Sequence, residues 1–349
     1  MLLLFQVILI FVKNSFMKKI ILFFLFSASL SAQKVEFIKL NQNIKDKFSR
    51  TKSLTLIDNR ADKNIGTANY KGDDVQVKFS NENVKNYVES WFAEDNKTKG
   101  SNDITVLIEE IKINEFKNTV ITKAKIKVSS FINRNGKYYF INRYNNALDY
   151  NSKTTPNIPR EITYSISQIF STLINDSYSH IALSTPILDE QLNNYEVIVG
   201  NNLKFVNTKE LVGGVYKDFR TFSMQKPEPE YHIDKNKKGK VVGVKNREDL
   251  SISGEELFGY VEEGKFYRLT PVGFLEMMKD DKGFYIVSSR LELFPPQNAS
   301  GAMIGGMAGG FVGALIGAAI DSGKSAKRQN DASLSNIYID QLTGSYIFD

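Results

Sequence analysis

The chain of 349 residues predicts an α+β protein. An N-terminal mixed α/β domain built round an antiparallel meander is followed by a small, mostly-β domain carrying a glycine-zipper helix or helical hairpin. Three observations predict this. Residues 103–113 and 122–132 alternate apolar and polar side chains with the period of two that a half-buried strand requires, and 53–58 and 137–150 read as further strands. Two windows, 83–92 and 162–174, instead repeat apolar residues at intervals of three and four, the mark of a one-sided helix. Residues 301–317, GAMIGGMAGGFVGALIG, set five glycines at a strict spacing of four, and no charge falls between Ala299 and Ile320.

Composition narrows the setting. Hydrophobic residues at 42% and charged residues at 24% are ordinary for a globular chain, so a sizeable core is available. There is no cysteine, which excludes a disulfide framework, a thiol nucleophile, a cysteine zinc site and lipid attachment through a thiol. Met17 opens MKKIILFFLFSASLSAQ, with a basic start at Lys18 and Lys19, an apolar run Ile20–Phe26 and small residues Ser27–Ala32. This is the pattern of a secretory signal, with cleavage expected after Ala32. Ile20–Phe26 is too short to span a bilayer. Residues 1–16 precede that complete signal, and Met17 is read as the start. With Lys13, Lys18 and Lys19 removed, 42 basic residues stand against 39 acidic ones, so the net charge falls from +6 to +3. No dense basic patch interleaved with aromatics occurs, and no nucleic-acid partner is expected.

Residues 33–190 form the predicted first domain. SLTLID (53–58) is its first strand. In 83–92, Val84, Tyr87, Val88, Trp91 and Phe92 form the core-facing stripe of a helix. Ile104, Val106 and Ile108 share one strand face; Ala124, Ile126 and Val128 do the same opposite Lys123, Lys125 and Lys127, which read as a solvated face. Asn135-Gly136 supplies a hairpin turn, since both positions tolerate positive φ. After Pro156 and Pro159, a second helix carries Ile162, Ile166, Ile169, Phe170, Leu173 and Ile174.

This order of strand, loop, helix, meander and helix, with LTLIDNRADKNIGT at the first loop, resembles the YajG-like envelope lipoproteins over about 50–180. The matching positions are Asp58, Arg60 and Gly66. The resemblance implies an envelope location and no reaction; the missing lipobox cysteine excludes a lipid anchor here. Asp58 and Arg60 are expected to pair and pin the loop.

Residues 191–209 lie in a polar stretch read as a linker. Residues 210–298 carry short aromatic-rich strands. Tyr216, Phe219 and Phe222 at intervals of three suggest a turn of helix ended by Pro227. Strands follow in GKVVGVK, ELFGYVEEGKFYRLT and GFLEMMKDDKGFYIVSSRLELF, with turns at Glu263-Gly264 and Lys282-Gly283. Pro295-Pro296 is expected to stop the last strand. The glycine-zipper segment covers 299–323, and 324–349 is a basic link with terminal strands expected to rejoin the β domain. GVYKDF, the small sheet, the Gly/Ala-rich insertion and IDQLTGSYIF together are similar to an uncharacterised group of exported bacterial proteins, over about 210–349, for which no activity is implied.

Catalytic and cofactor motifs are wanting. DSGKS (321–325) fails as a phosphate loop, because Ala318 stands where its first glycine is required and an apolar helix, not a strand, precedes it. His180 reads as a helix C-terminal cap and His232 as a loop residue. The adjacent pairs Glu109-Glu110, Glu255-Glu256 and Glu262-Glu263 would point to opposite faces of a strand. No catalytic, cofactor-binding or metal residue is assigned.

On a helix, Gly301, Gly305, Gly309, Gly313 and Gly317 stack along one face and let another backbone approach. One straight helix over 299–320 would reach roughly 33 Å and could span a bilayer. Strand-like residues 336–348 argue instead that the chain folds back near Gly309-Gly310. The expected role is that of a non-enzymatic protein exported to the periplasm or outer envelope, associating with a membrane or with itself through 299–320. The alternative is an exported ligand-binding or hydrolytic protein with its site among the aromatics of 210–294.

Overall fold

The computed structural model describes residues 34–115, 120–294 and 333–348. The signal region, Pro295-Pro296 and the five zipper glycines Gly301, Gly305, Gly309, Gly313 and Gly317 lie outside those residues.

The alternating segments become a five-stranded central sheet in the order β2-β5-β6-β7-β8. Its strands are β2 (Thr51–Asp58), β5 (Asn102–Glu115), β6 (Ile121–Arg134), β7 (Lys137–Asn151) and β8 (Pro186–Ile187). β2 runs parallel to β5, and the remaining pairs are antiparallel. The β6–β7 turn takes φ of 54° at Asn135 and 75° at Gly136, the mirror-image turn that Asn-Gly favours.

One face of this sheet is covered by α1 (Val84–Asp95) and α2 (Ile158–Ser179), whose apolar stripes meet Ile104, Val106, Ile108, Ile126 and Val128 in one buried cluster. Both helices start on an asparagine cap: Asn83 Oδ1 accepts from Asn86 N–H and Asn157 Oδ1 from Arg160 N–H. A small sheet in the order β1-β4-β3 closes the same cluster. It comprises β1 (Val35–Ile38), β3 (Thr67–Tyr70) and β4 (Asp73–Phe79), and it delivers Ile38, Ala68 and Val77 to the core.

The other face is covered as well. Leu107, Phe131 and Phe140 of the central sheet join one cluster with Tyr195, Val199, Leu203 and Phe205 and with the C-terminal strands. The stretch read as a linker is therefore folded. It contains a 3₁₀ turn (Asp189–Asn194), α3 (Tyr195–Gly200) and α4 (Lys204–Asn207). Tyr195, Val199 and Leu203 recur every four residues and are all buried, which gives an otherwise polar segment one apolar edge.

The C-terminal region is a seven-stranded sheet in the order β17-β16-β15-β14-β13-β12-β9. Its members are β9 (Gly214–Tyr216), β12 (Gly259–Glu262), β13 (Lys265–Thr270), β14 (Gly273–Asp280), β15 (Gly283–Ser288), β16 (Ser335–Ile339) and β17 (Tyr346–Ile347). A two-stranded ribbon, β10 (His232–Lys235) with β11 (Val241–Lys245), packs against it, Val241 and Val244 sharing a buried cluster with Val215, Tyr260 and Leu269. Mixed helix and strand with antiparallel sheets make the fold α+β.

Several local expectations are corrected. Tyr216 lies on β9, and the helix α5 (Phe219–Ser223) starts only after the Asp218 cap. The last hairpin turns one residue early, at Asp281-Lys282, because Asp280 Oδ1 accepts from the N–H groups of Lys282 and Gly283. β15 ends at Ser288 rather than running to the prolines; Ser289 caps a helical turn, α6 (Arg290–Leu293). Residues 336–348 do rejoin the sheet: β16 pairs with β15 from Ser335 opposite Ser288, and β17 folds back on β16.

Candidate functional site

The first-loop pair is brought together. Arg60 Nε donates to Asp58 Oδ1 at 2.9 Å and Nη2 to Oδ2 at 2.8 Å, a bidentate fork. Arg60 Nη1 also reaches Lys63 O at 3.3 Å, and Lys63 Nζ donates to Asp58 O at 2.8 Å. Burial raises the Asp58 carboxyl, but its hydrogen bonds and charge contact with Arg60, aided by Lys63, hold it below the ordinary carboxylate range. Both carboxylate oxygens are engaged within the loop, so the pair holds the corner between β2 and β3.

The lysine face of β6 is only partly solvated. Lys125, beside Glu110, is the more open, whereas Lys127 is half-buried where α3 crosses the sheet. A β-bulge explains the acidic side. The register skips Glu109, pairing Ile108 with Val128 and Glu110 with Lys127. Two successive residues then share a face. Glu109 and Glu110 thus point the same way, contrary to simple alternation, and both meet lysines.

Around Glu109 a charged network joins distant segments. Lys127 Nζ bridges Glu109 and Glu196; Ser129 Oγ donates to Glu109 Oε2 at 2.7 Å; and Tyr195 OH lies 3.0 Å from the same oxygen. Arg143 Nη1 reaches Glu196 Oε2 at 2.7 Å, and its Nε donates to Asp340 of the terminal hairpin. The Arg143 and Asp340 side chains are 4% and 2% exposed. Asp340 Oδ1 also accepts from Leu342 N–H and Thr343 N–H, which shapes the turn before β17.

Beside this network lies a cleft of about 420 Å³. One wall is β7 from Ile141 to Asn146 with the end of α2; the other is the segment 217–223, Leu257-Phe258 and the turn Leu342–Tyr346. β7 leaves room for it, because β8 covers the outer edge only at Tyr138 and Tyr139, and the tail meets it again at Ala147 N–H to Phe348 O. At the floor the buried Arg268 guanidinium lies 4.0 Å from the Tyr346 ring centroid and 4.8 Å from that of Phe258, and it donates to Gly344 O. Asp176, half-buried on α2, is pushed up to about 6 by burial, opposed by the nearby His180. His180 itself caps α2, its N–H donating to Asp176 O at 3.0 Å.

The Ser179 and Ser223 hydroxyls each donate to a backbone carbonyl, so neither is held by a base as a nucleophile would be. Among the described residues, no group of three His, Asp or Glu side chains is arranged to hold a metal ion. The sequence carried a faint mark of Asp176 and His180, four apart on one helix; nothing in the local pattern pointed to Arg143, Arg220 or Arg268.

No family model, curated protein or solved structure matches this chain.

Proposed function

We propose that this protein is a non-enzymatic component of the cell envelope, exported by the signal at 17–32, whose segment 299–320 mediates membrane association or self-association. The observation that carries the reading is the glycine period taken with the strand register around it. β15 and β16 are hydrogen-bonded neighbours, so the chain that departs after α6 returns beside its point of departure. A segment whose two ends join one sheet side by side crosses a bilayer an even number of times or not at all. A single span with the tail beyond the membrane does not accommodate that pairing. Folded at Gly309-Gly310, each arm would be roughly 15 Å long, half of a ~30 Å hydrocarbon core. Such a hairpin dips into one leaflet or meets another copy through its glycine face. Among the described residues, no helix is long and apolar enough to cross a membrane.

Gly305→Leu and Gly313→Leu each fill that face. Both variants should lose crosslinked species or membrane-fraction protein while the body stays folded. Unchanged crosslinking and fractionation in both variants would falsify the reading.

One observation favours a second reading, ligand binding. The aromatics of 210–294 fill a core, with Phe222 and Phe266 ring centroids 4.0 Å apart and Phe258 and Phe266 5.4 Å apart. The cleft, which borrows Phe219 and Phe258 from it, is where a ligand would sit.

A further inference from the structure

The cleft holds two opposite charges that do not meet. Asp176 contributes a half-buried carboxylate that takes a long bond from Asn142 Nδ2, 3.5 Å from Oδ2, and lies within charge range of His180 at the same helix end. No described lysine or arginine lies within 4 Å of it. Arg220, a half-buried residue, gives one guanidinium donor to Ile181 O and has no described carboxylate within 4 Å. A guanidinium carries five N–H donors, so most of the Arg220 fork remains for another acceptor. Both residues line the same cleft, together with Ile141, Phe219, Leu257 and Phe258. Taking such charges partly out of water is unfavourable unless each finds a counter-charge. Direct pairing of the two would remove the penalty, yet no described ion pair joins them in the cleft they both line.

We propose that the cleft binds a small zwitterion, its ammonium against Asp176, its carboxylate on the Arg220 fork and its apolar body on Phe219 and Phe258. The chemical class is a free α-amino acid with an apolar side chain, or a short peptide presenting both ends. This rests on the ligand-binding reading and names the ligand for it. Asp176 must be ionised to hold the ammonium. The charged groups sharing the cleft with it are His180 on its own helix, Arg143 on β7, Lys217, Asp218 and Arg220 from the segment before and within α5, and Arg268 on β13. Its carboxyl is raised to about 6 by burial, so binding is present above that value and is lost as pH falls through it.

The test is calorimetric titration of the full chain with L-phenylalanine, 2-phenylethylamine, 3-phenylpropanoate and N-acetylphenylalaninamide, which keep the ring and remove one, the other or both charges. L-phenylalanine should bind about tenfold or more tighter than each single-charge probe, since a charge-assisted hydrogen bond contributes about 1.5–3 kcal/mol and 1.4 kcal/mol is tenfold. Asp176→Asn and Arg220→Gln should each remove that margin, Arg220→Lys should restore part of it, and all three should keep the parental melting temperature. Equal affinity for the four probes, or L-phenylalanine binding indifferent to Asp176→Asn, overturns the zwitterion while leaving a binding cleft. No heat with any probe overturns the ligand-binding reading as well.

Discussion

Asp340→Asn tests how the terminal hairpin is held. The substituted side chain can keep its one oxygen where Oδ1 of Asp340 accepts from Leu342 N–H and Thr343 N–H at 2.8 and 3.1 Å, so the turn survives. The other position then presents an amide N–H₂ to Arg143 Nε, setting donor against donor where a charge-assisted bond stood. Breaking a fully buried pair destabilises by about 3–5 kcal/mol when the remaining charge is uncompensated. Here Glu196, 2.7 Å from Arg143 Nη1, still compensates it. The expected loss is therefore smaller, about 2–3 kcal/mol, in the range of one hydrogen bond to a charged group. Urea unfolding followed through Trp91, the single tryptophan, gives the global value, and amide exchange over 335–348 gives the local one. Asp340→Ala also loses the turn bonds and should be worse by about 1–2 kcal/mol. If Asp340→Asn unfolds within about 0.5 kcal/mol of the parent, with tail exchange unchanged, the buried pair does not secure the hairpin and the reasoning fails.

Two further outcomes follow from the body of the fold. Asp58 is held below its ordinary value of 3.8, so its contribution is complete above that pH and is lost as pH falls through the lowered folded value. Asp58→Asn should lose about 1–2 kcal/mol at pH 7 and show a shallower decline below about pH 4, read from denaturation midpoints across pH; parallel curves for the two proteins would remove the linkage. Gly259→Ala should destabilise by about 3 kcal/mol, since a β-carbon there overlaps the Tyr267 carbonyl oxygen and lies 2.7 Å from Phe266 Cζ, neither of which can yield without disturbing the sheet; a thermal melt within about 1 °C of the parent would contradict it.

The sequence was most legible where one face of an element meets one core. Ile104, Val106 and Ile108, or Ile162, Ile166 and Ile169, announce their faces because the opposite positions are polar or serve a different contact. Reading failed where a second core takes the other face. Leu107 and Phe131 belong to that core, and Lys127 sits beneath α3 although Lys125, two residues earlier on the same face, is more open. The Glu109 bulge was hidden because alternation carries no sign of an extra residue. Tyr195, Val199 and Leu203 did carry a helical period, masked by the asparagines and acids around them. The charged network had no local signal: Arg143 and Asp340 are brought together from positions 197 residues apart, by the packing of two sheets. The cleft follows from the same packing, since its Asp176 and Arg220 belong to different layers.

The pairing of β15 with β16 has a consequence for how the chain between them can vary. Neighbouring strands lie about 4.8 Å apart, so the folded body holds Ser288 and Ser335, which flank the helical turn and the insertion, side by side. The entropy of closing a flexible insertion grows only with the logarithm of its length, by about 0.6 kcal/mol per doubling. The sheet is therefore nearly indifferent to the length of what is threaded between Phe294, which packs on Tyr346 and Phe348, and Ser333. Residues there can be lengthened, shortened or exchanged under pressures unrelated to the stability of the body, which makes this position an interchangeable socket and the glycine-rich segment its present insert.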